Sequence, residues 1–582
     1  MGEMDDRIAQ LEAATRAVQE RLQHIERRLA ALEPGGRSQT VASQDGRSGE
    51  AAAEPAGGRT SDLVTILSLA GRSLIVLGGA YLLRALTEAG ALPPLAGSLL
   101  ALAYALTWLF GAGRSAARGL SESATFHGLT ASAIGFPLVW ETTVRFGFFG
   151  PTGSAMALGA LTGCALFVAW RWPQRALAWT ATLAALMTSL VLVPATNAPL
   201  PYAVVLVLLG IATLWLGYVR DWRALRWPVA VLADIAAIGL VTRALTETPR
   251  ESPEAVLAFL LLLLGSYLAS IGVRTLIKGR NVIAFEVVQT AAALVVSLWG
   301  LASILRVTGL EGRWFGAGFL CLGVASYAVS LAFVDRRQGR GANFYFYTTL
   351  ALVFTVVGTT LVLPTSGVAV VCALLGVAAT AAGGRLGRWA LEAHAAVYLL
   401  VASVASGLFG DAARSLLGSD VAALRLPGPS GLASMACLTV AVLWAVSGRG
   451  GAVVQWARPA RLLILALFLW CAGGAVVHVA KLGLSGAFNR EVATAELALV
   501  RTVVVAATAL ILALLASRLR VVEAGWLVYP VLLLGGIKVL QDLRTLRPSL
   551  LVITLAAYGA ALILAPRWLR GRSPSAAGER SV

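Results

Sequence analysis

Leu200–Val219 reads LPYAVVLVLLGIATLWLGYV and is followed at once by Arg220, Asp221, Trp222 and Arg223. As a helix rising ~1.5 Å per residue, that run spans roughly 30 Å, the thickness of a bilayer's hydrocarbon core. No charge interrupts it, and the basic residues fall directly after it. The same unit, an apolar stretch of about 18 to 24 residues closed by a short loop of Arg, Gly and Pro, repeats along most of the chain. The pattern predicts an all-α, polytopic integral membrane protein with about 18 transmembrane helices. Their centres run from the stretches around Leu77 and Leu102 to those around Leu533 and Leu555.

Composition agrees with that reading. The 582 residues are 58% hydrophobic and 13% charged, with mean hydropathy +0.78, a balance that suits a bilayer rather than water as solvent. In a soluble protein a net charge of +17 would suggest nucleic acid as partner. Here the basic residues sit in short loops, where they set topology, so no nucleic-acid partner is expected and the partner is the lipid bilayer.

Arg114 and Arg118, Arg171 and Arg175, Arg220 to Arg226, Arg274 to Arg280, Arg336 to Arg340, Arg385 and Arg388, Arg449 to Arg461, and Arg518 and Arg520 all follow even-numbered spans. The intervening loops carry acids such as Glu88, Glu141, Glu247, Glu311, Asp411 and Asp420. The positive-inside rule then puts both termini in the cytoplasm. Lysine occurs only at Lys278, Lys481 and Lys538 beside abundant Arg and Ala, a bias of GC-rich bacterial genomes, and the expected location is a bacterial cytoplasmic membrane. With no apolar core in the first thirty residues, no cleavable signal peptide is expected, and the first span would serve as a retained anchor.

Residues 1–33 have a different period. Ile8, Leu22 and Leu29 fall at a positions and Leu11, Val18, Ile25 and Leu32 at d, with Thr15 the one polar seam residue, and Pro34-Gly35-Gly36 ends the repeat. Arg7, Arg21 and Arg28 at g face Glu12, Glu26 and Glu33 at e′ in a parallel arrangement, while an antiparallel one opposes like charges. The expectation is a cytoplasmic coiled coil and a homo-oligomer; the alternative is one amphipathic helix on a surface. Residues 34–61 then read as a disordered linker, 62–566 as the transmembrane domain and 567–582 as a basic cytoplasmic tail.

Catalytic and cofactor motifs are missing: no phosphate loop, no HExxH, no GxSxG and no GxGxxG. The five cysteines, Cys164, Cys321, Cys372, Cys437 and Cys471, stand singly in apolar stretches, so no disulfide framework and no zinc site is indicated. The loops near 410–428 and 483–493 are too short for a catalytic domain. No catalytic residue, cofactor or metal is expected, and the substrate is open.

What remains is a set of ionisable or polar residues within spans, each costing ~2.5 to 3.5 kcal/mol on insertion scales and therefore a functional candidate. Asp234 lies about eight residues beyond Arg226, roughly 12 Å deep. It reads either as a proton- or cation-linked carboxylate facing a cavity or as a structural one, paired with an Arg or hydrogen-bonded to a neighbouring helix. Glu286 and Gln289 share a helix face near a cytoplasmic end, where ordinary interfacial solvation is the favoured reading. Glu392 and His394 are two residues apart and point to different faces. Arg501 falls near an outer boundary, and with Glu496 it suggests a short outer interfacial helix. His127 and His478 read as packing residues, and Arg72 suggests that Leu63–Ala70 is interfacial, with the first span starting near Ser73. Gly159 and Gly163 form a small-xxx-small contact pattern. Arg84-Ala85-Leu86-Thr87-Glu88 recurs as Arg243-Ala244-Leu245-Thr246-Glu247, which reads as internal duplication or as coincidence.

The first hairpin runs Gly71-Arg72-Ser73-Leu74-Ile75-Val76-Leu77-Gly78-Gly79-Ala80-Tyr81-Leu82-Leu83-Arg84, with Pro93-Pro94 beyond it. Together with the coiled coil and linker ahead of it, this layout resembles the bacterial polytopic proteins of domain-of-unknown-function family 2339. The resemblance implies the architecture and carries no activity or site residue with it. Three classes of function are therefore expected: a transporter-like or lipid-handling protein, a self-associating membrane scaffold, and, last, an intramembrane enzyme on lipid-linked substrates.

Overall fold

The computed structural model describes residues 57–246, 251–334, 341–418, 427–447, 457–488, 492–519, 521–542 and 548–570. The coiled-coil seam, most of the expected linker, the tail beyond Arg570, and Glu247, Asp420, Arg336, Arg337, Arg340, Arg449 and Arg520 lie outside the described residues. The chain divides into two compact units, Met1–Ala70 and Gly71–Val582. Of the first, only the helical residues 57–70 are described; the second holds the membrane bundle.

Among the described residues there are helices and no strands. In order they are α1 (Gly57–Glu88), α2 (Pro94–Ala117), α3 (Ser121–Trp140), α4 (Pro151–Arg171), α5 (Arg175–Thr196), α6 (Pro199–Val219) and α7 (Arg226–Ala244). Then come α8 (Pro253–Gly272), α9 (Ala284–Thr308), α10 (Arg313–Ala328), α11 (Gly341–Val362), α12 (Thr365–Leu386) and α13 (Trp389–Ala405). The last are α14 (Leu408–Leu417), α15 (Pro429–Val446), α16 (Arg458–Phe488), α17 (Thr494–Arg518), α18 (Val522–Asp542) and α19 (Pro548–Arg570). Proline at the first helical turn starts α2, α4, α6, α8 and α15, where its missing N–H costs nothing. Gly309 and Gly387, at φ 69° and 63°, end α9 and α12 in the left-handed conformation that an unbranched backbone adopts cheaply.

Fifteen of these helices are long and apolar enough to cross a membrane, or sixteen if the bent pair α13 and α14 forms one span. The protein is thus a multi-pass helical membrane protein. Of the spans expected within the fully described helices, the third, α3, is not among the fifteen. Helix α3 carries Ser121, Glu122, Ser123, Thr125, His127, Thr130 and Ser132, which dilute its hydropathy. Neighbouring helices bury much of it, and Thr130 and Ser132 return their hydroxyls to the Phe126 and Gly128 carbonyls.

Three further expectations are corrected. Helix α1 begins at Gly57, inside the segment read as linker, and runs without a break through Arg72, because Arg interrupts hydropathy but not helix propensity. Glu496 and Arg501 do not form a separate interfacial helix. Both belong to α17, whose first turn Glu496 closes by accepting the Ala493 N–H at 3.2 Å. The interruption falls instead at Gly407, whose φ of 78° sets α14 at 73° to α13.

Three helices end in π-helical turns: Glu141–Arg145 after α3, Val273–Ile277 after α8 and Val329–Val334 after α10. Such turns displace side chains from the helical register and recur at functional sites. The largest core runs from Leu109 to Phe354, gathered from α2 through α11, and smaller ones join α12 to α16 and α16 to α19.

Helix contact depends on small residues, since lipid is as apolar as leucine and close backbone approach supplies the attraction. The expected Gly159–Gly163 contact is not where this happens. A Cβ at Gly163 meets nothing, and one at Gly159 only grazes Val205 at 3.7 Å. The close approach is between α10 and α11, where a Cβ on Gly358 would stand 2.8 Å from the Gly316 carbonyl oxygen. Because that neighbour is backbone, it cannot yield. Gly358→Val is expected to lower stability in detergent by about 1–3 kcal/mol, and Gly163→Val to change it by less than about 0.5. Thermal unfolding of the two variants checks the contrast.

Candidate functional site

Asp234 on α7 is half-buried, and both its carboxylate oxygens accept from Nε2 of Gln289 on α9, each at 3.0 Å. It lines none of the described cavities. Its observed partner is thus an amide on a neighbouring helix.

Glu286 is not solvated, which corrects the expectation. Only 1% of it is exposed. Arg274 Nη1 donates to both its oxygens at 2.7 Å, the Ile283 N–H donates at 2.8 Å, and the Tyr218 hydroxyl donates a further bond. The physical reason is the π-helical turn after α8, which carries Arg274 back over the start of α9 and seals the carboxylate from water. Gln289, one turn further along, faces Asp234 and is buried as well.

Glu392 and His394 take separate partners, as their spacing requires. Glu392 forms a two-pronged pair with Arg461 of α16, at 2.6 and 2.7 Å. His394 Nδ1 lies 2.9 Å from the Tyr327 hydroxyl, which in turn lies 3.0 Å from that of Tyr398. Arg501 is 3% exposed, and its guanidinium donates to the carbonyls of Ser415 at 2.6 Å and Arg414 at 3.4 Å. Those carbonyls end α14, so the cation sits at the negative end of a short helix dipole. His127 packs edge-on against Trp108, with ring centres 5.1 Å apart. His478 is buried with both ring nitrogens unbonded. Among the described residues no three His, Cys, Asp or Glu side chains gather to hold a metal, and all five cysteines are free thiols.

Sequence reasoning missed a cavity of about 270 Å³ between α1, α2 and α3. Its walls are apolar, with Leu77, Ala80, Ala101, Ile134 and Leu138. At one end Arg84 pairs with Glu141 at 2.7 Å. Arg84 Nε also reaches Glu88 at 2.8 Å, and Arg145 reaches Glu88 at 2.5 Å. Ser98, at the start of α2, adds a buried hydroxyl without a hydrogen-bond partner.

Local structure explains the groove. Pro137 and the π-helical turn Glu141–Arg145 rotate the end of α3 so that Glu141 faces α1. Helix α1 meets α2 where the Tyr104 hydroxyl donates to the Val76 carbonyl at 3.1 Å, and the space beside that contact stays open. The available signal was the four charges at two helix ends, Arg84 and Glu88 on one and Glu141 and Arg145 on the other, each end carrying one cation and one anion four residues apart. The second copy of the repeated pentapeptide sends its arginine, Arg243, to the side chain of Asn197 at 2.6 Å.

No protein-family profile matches this sequence, and neither a curated protein nor a solved structure shows significant similarity to it.

The pair Glu392–Arg461 makes a direct prediction. Glu392→Ala strands a largely buried guanidinium and is expected to cost about 3–5 kcal/mol, whereas Glu392→Leu with Arg461→Met is expected to be near neutral. Unfolding midpoints of the single and double variants in detergent check it.

Proposed function

We propose that the protein handles lipids or lipid-like amphiphiles, in the manner of a transporter, and that the groove between α1, α2 and α3 receives one of them. The observation that carries this reading is the groove's own chemistry: an apolar trough ending in Arg84, Glu141 and the unbonded Ser98 hydroxyl. A hydrocarbon chain gains by lying against Leu77, Ile134 and Leu138, while a polar head meets both charge signs at the end of the trough. At about 270 Å³ the space falls just below the ~300 Å³ at which small-molecule pockets begin, so it suits one stretch of acyl chain with the rest in the bilayer.

In this reading the protein sits in a bacterial cytoplasmic membrane with both termini inside, supported by the loop arginines, and the groove opens toward the outer end. Membership of domain-of-unknown-function family 2339 belongs to the same proposal, supported by the layout of the chain. The buried pairs at Glu286, Glu392 and Asp234 are then structural, because each carboxylate already has its partners.

A photoreactive fatty acid or phospholipid incorporated into nanodiscs tests the groove. Labelling is expected on α1–α3, and Ala80→Trp and Ala133→Trp, which fill the trough, are expected to cut it at least about fivefold. Labelling that survives both substitutions unchanged would sink the proposal.

The heptad seam of residues 1–33 favours a second and compatible reading, parallel self-association. Removing residues 1–33 is then expected to lower the mass of the detergent-solubilised assembly to that of one chain, as read by light scattering. An unchanged mass counts against the coiled coil as the oligomerising element.

A further inference from the structure

Arg226 opens α7, where the helix dipole presents positive charge and a cation is disfavoured. It is nevertheless 5% exposed. Its Nε has no hydrogen-bond partner, and among the described residues its guanidinium takes part in no hydrogen bond or ion pair. Its guanidinium lies over the ring of Phe285, 4.3 Å away at the start of α9, and is attracted by the Glu286 carboxylate without bonding to it. A cation–π contact does not by itself balance the desolvation of a buried guanidinium whose Nε donor is unbonded.

The surroundings deepen the imbalance. Arg274 lies over the Tyr218 ring at 4.6 Å, and Lys278 lies over Trp215 at 4.4 Å, so three cations share this end of α6–α9. The carboxylate they face is Glu286, already committed to Arg274, Tyr218 and a backbone N–H. Asp221 is exposed and bound to Arg223. Trp227, exposed and edge-on to Phe285 at 4.8 Å, puts an aromatic ring beside the cluster, as at the headgroup level of a bilayer.

We infer that the start of α7 is a binding site for a phosphate group, held by Arg226 with Arg274 and Lys278 around it. The group is either the headgroup of an anionic phospholipid or a free phosphate; the chemistry is the same. An anion there supplies the acceptors that the guanidinium lacks and the negative charge that the helix terminus favours. This site is built from α6–α9, so it stands whether or not the α1–α3 groove binds an amphiphile.

The test uses the full-length protein in a non-ionic maltoside detergent, titrated separately with phosphatidylglycerol, with a diacylglycerol of the same chains, and with inorganic phosphate against chloride at equal ionic strength. The unfolding midpoint and, for lipid, native mass spectrometry are the readouts. A rise with phosphatidylglycerol and not with diacylglycerol assigns the site to a lipid headgroup, and a rise with inorganic phosphate alone assigns it to the free ion. In either case Arg226→Gln is expected to weaken binding by about tenfold or more, the value of one charge-assisted hydrogen bond. Lys278→Gln, at an exposed position that does not threaten folding, is expected to weaken it less. No phosphate-dependent rise in the wild-type protein, or a rise that Lys278→Gln and Arg226→Lys both leave unchanged, would overturn the assignment.

Discussion

A polar group without a partner is costly in hydrocarbon, and this one constraint organises the bundle. It is met first within each helix. Thr162, Ser189, Thr348, Thr380 and Ser403 each return a hydroxyl to the carbonyl four residues earlier, so they enter apolar spans without needing a neighbour. Charged and amide side chains cannot be satisfied that way. They are satisfied between helices instead, α7 to α9 through Asp234 and Gln289, α8 to α9 through Arg274 and Glu286, and α13 to α16 through Glu392 and Arg461. The polar residues of this protein therefore fix which helices are neighbours, a decision that apolar surfaces in lipid leave nearly degenerate.

The same constraint explains what could be read from the sequence. Span positions were legible because hydrophobicity over ~20 residues is a local property, and the apolar helices follow the expected runs almost throughout. Asp234, Glu286, Gln289, Glu392, His394 and Arg501 could be picked out as polar residues, since each stands out against its span. Their partners could not. Glu392 and Arg461 are 69 positions apart, and Asp234 and Gln289 are 55 apart, distances over which no periodicity reports. Glu286 shows the difficulty most plainly. Its partner is only 12 residues away, but it arrives through a π-helical turn that no pattern of hydrophobicity announces. The groove beside α1 escaped for a related reason: it is defined by where three helices fail to touch, and a sequence records contacts more readily than gaps.

The two sites differ in the kind of imbalance they carry. At the groove, Arg84, Glu88, Glu141 and Arg145 neutralise one another, and what is unsatisfied is apolar wall and one hydroxyl. At the start of α7, what is unsatisfied is charge. An amphiphile and an anion answer these two deficits, and one end of the bundle does not need the other to be filled.

Arg501 shows how the fold is tied to the order in which it is made. The carbonyls that end α14 wait for a guanidinium 86 residues downstream. At 5–20 residues per second, a ribosome takes on the order of ten seconds to supply it. Through that interval the Arg414 carbonyl has only the local Gly418 N–H at 3.0 Å, and the Ser415 carbonyl lacks the cation that later reaches it. The bend at Gly407 is local to the chain, but the tie that fastens the end of α14 to α17 exists only once Arg501 has been made.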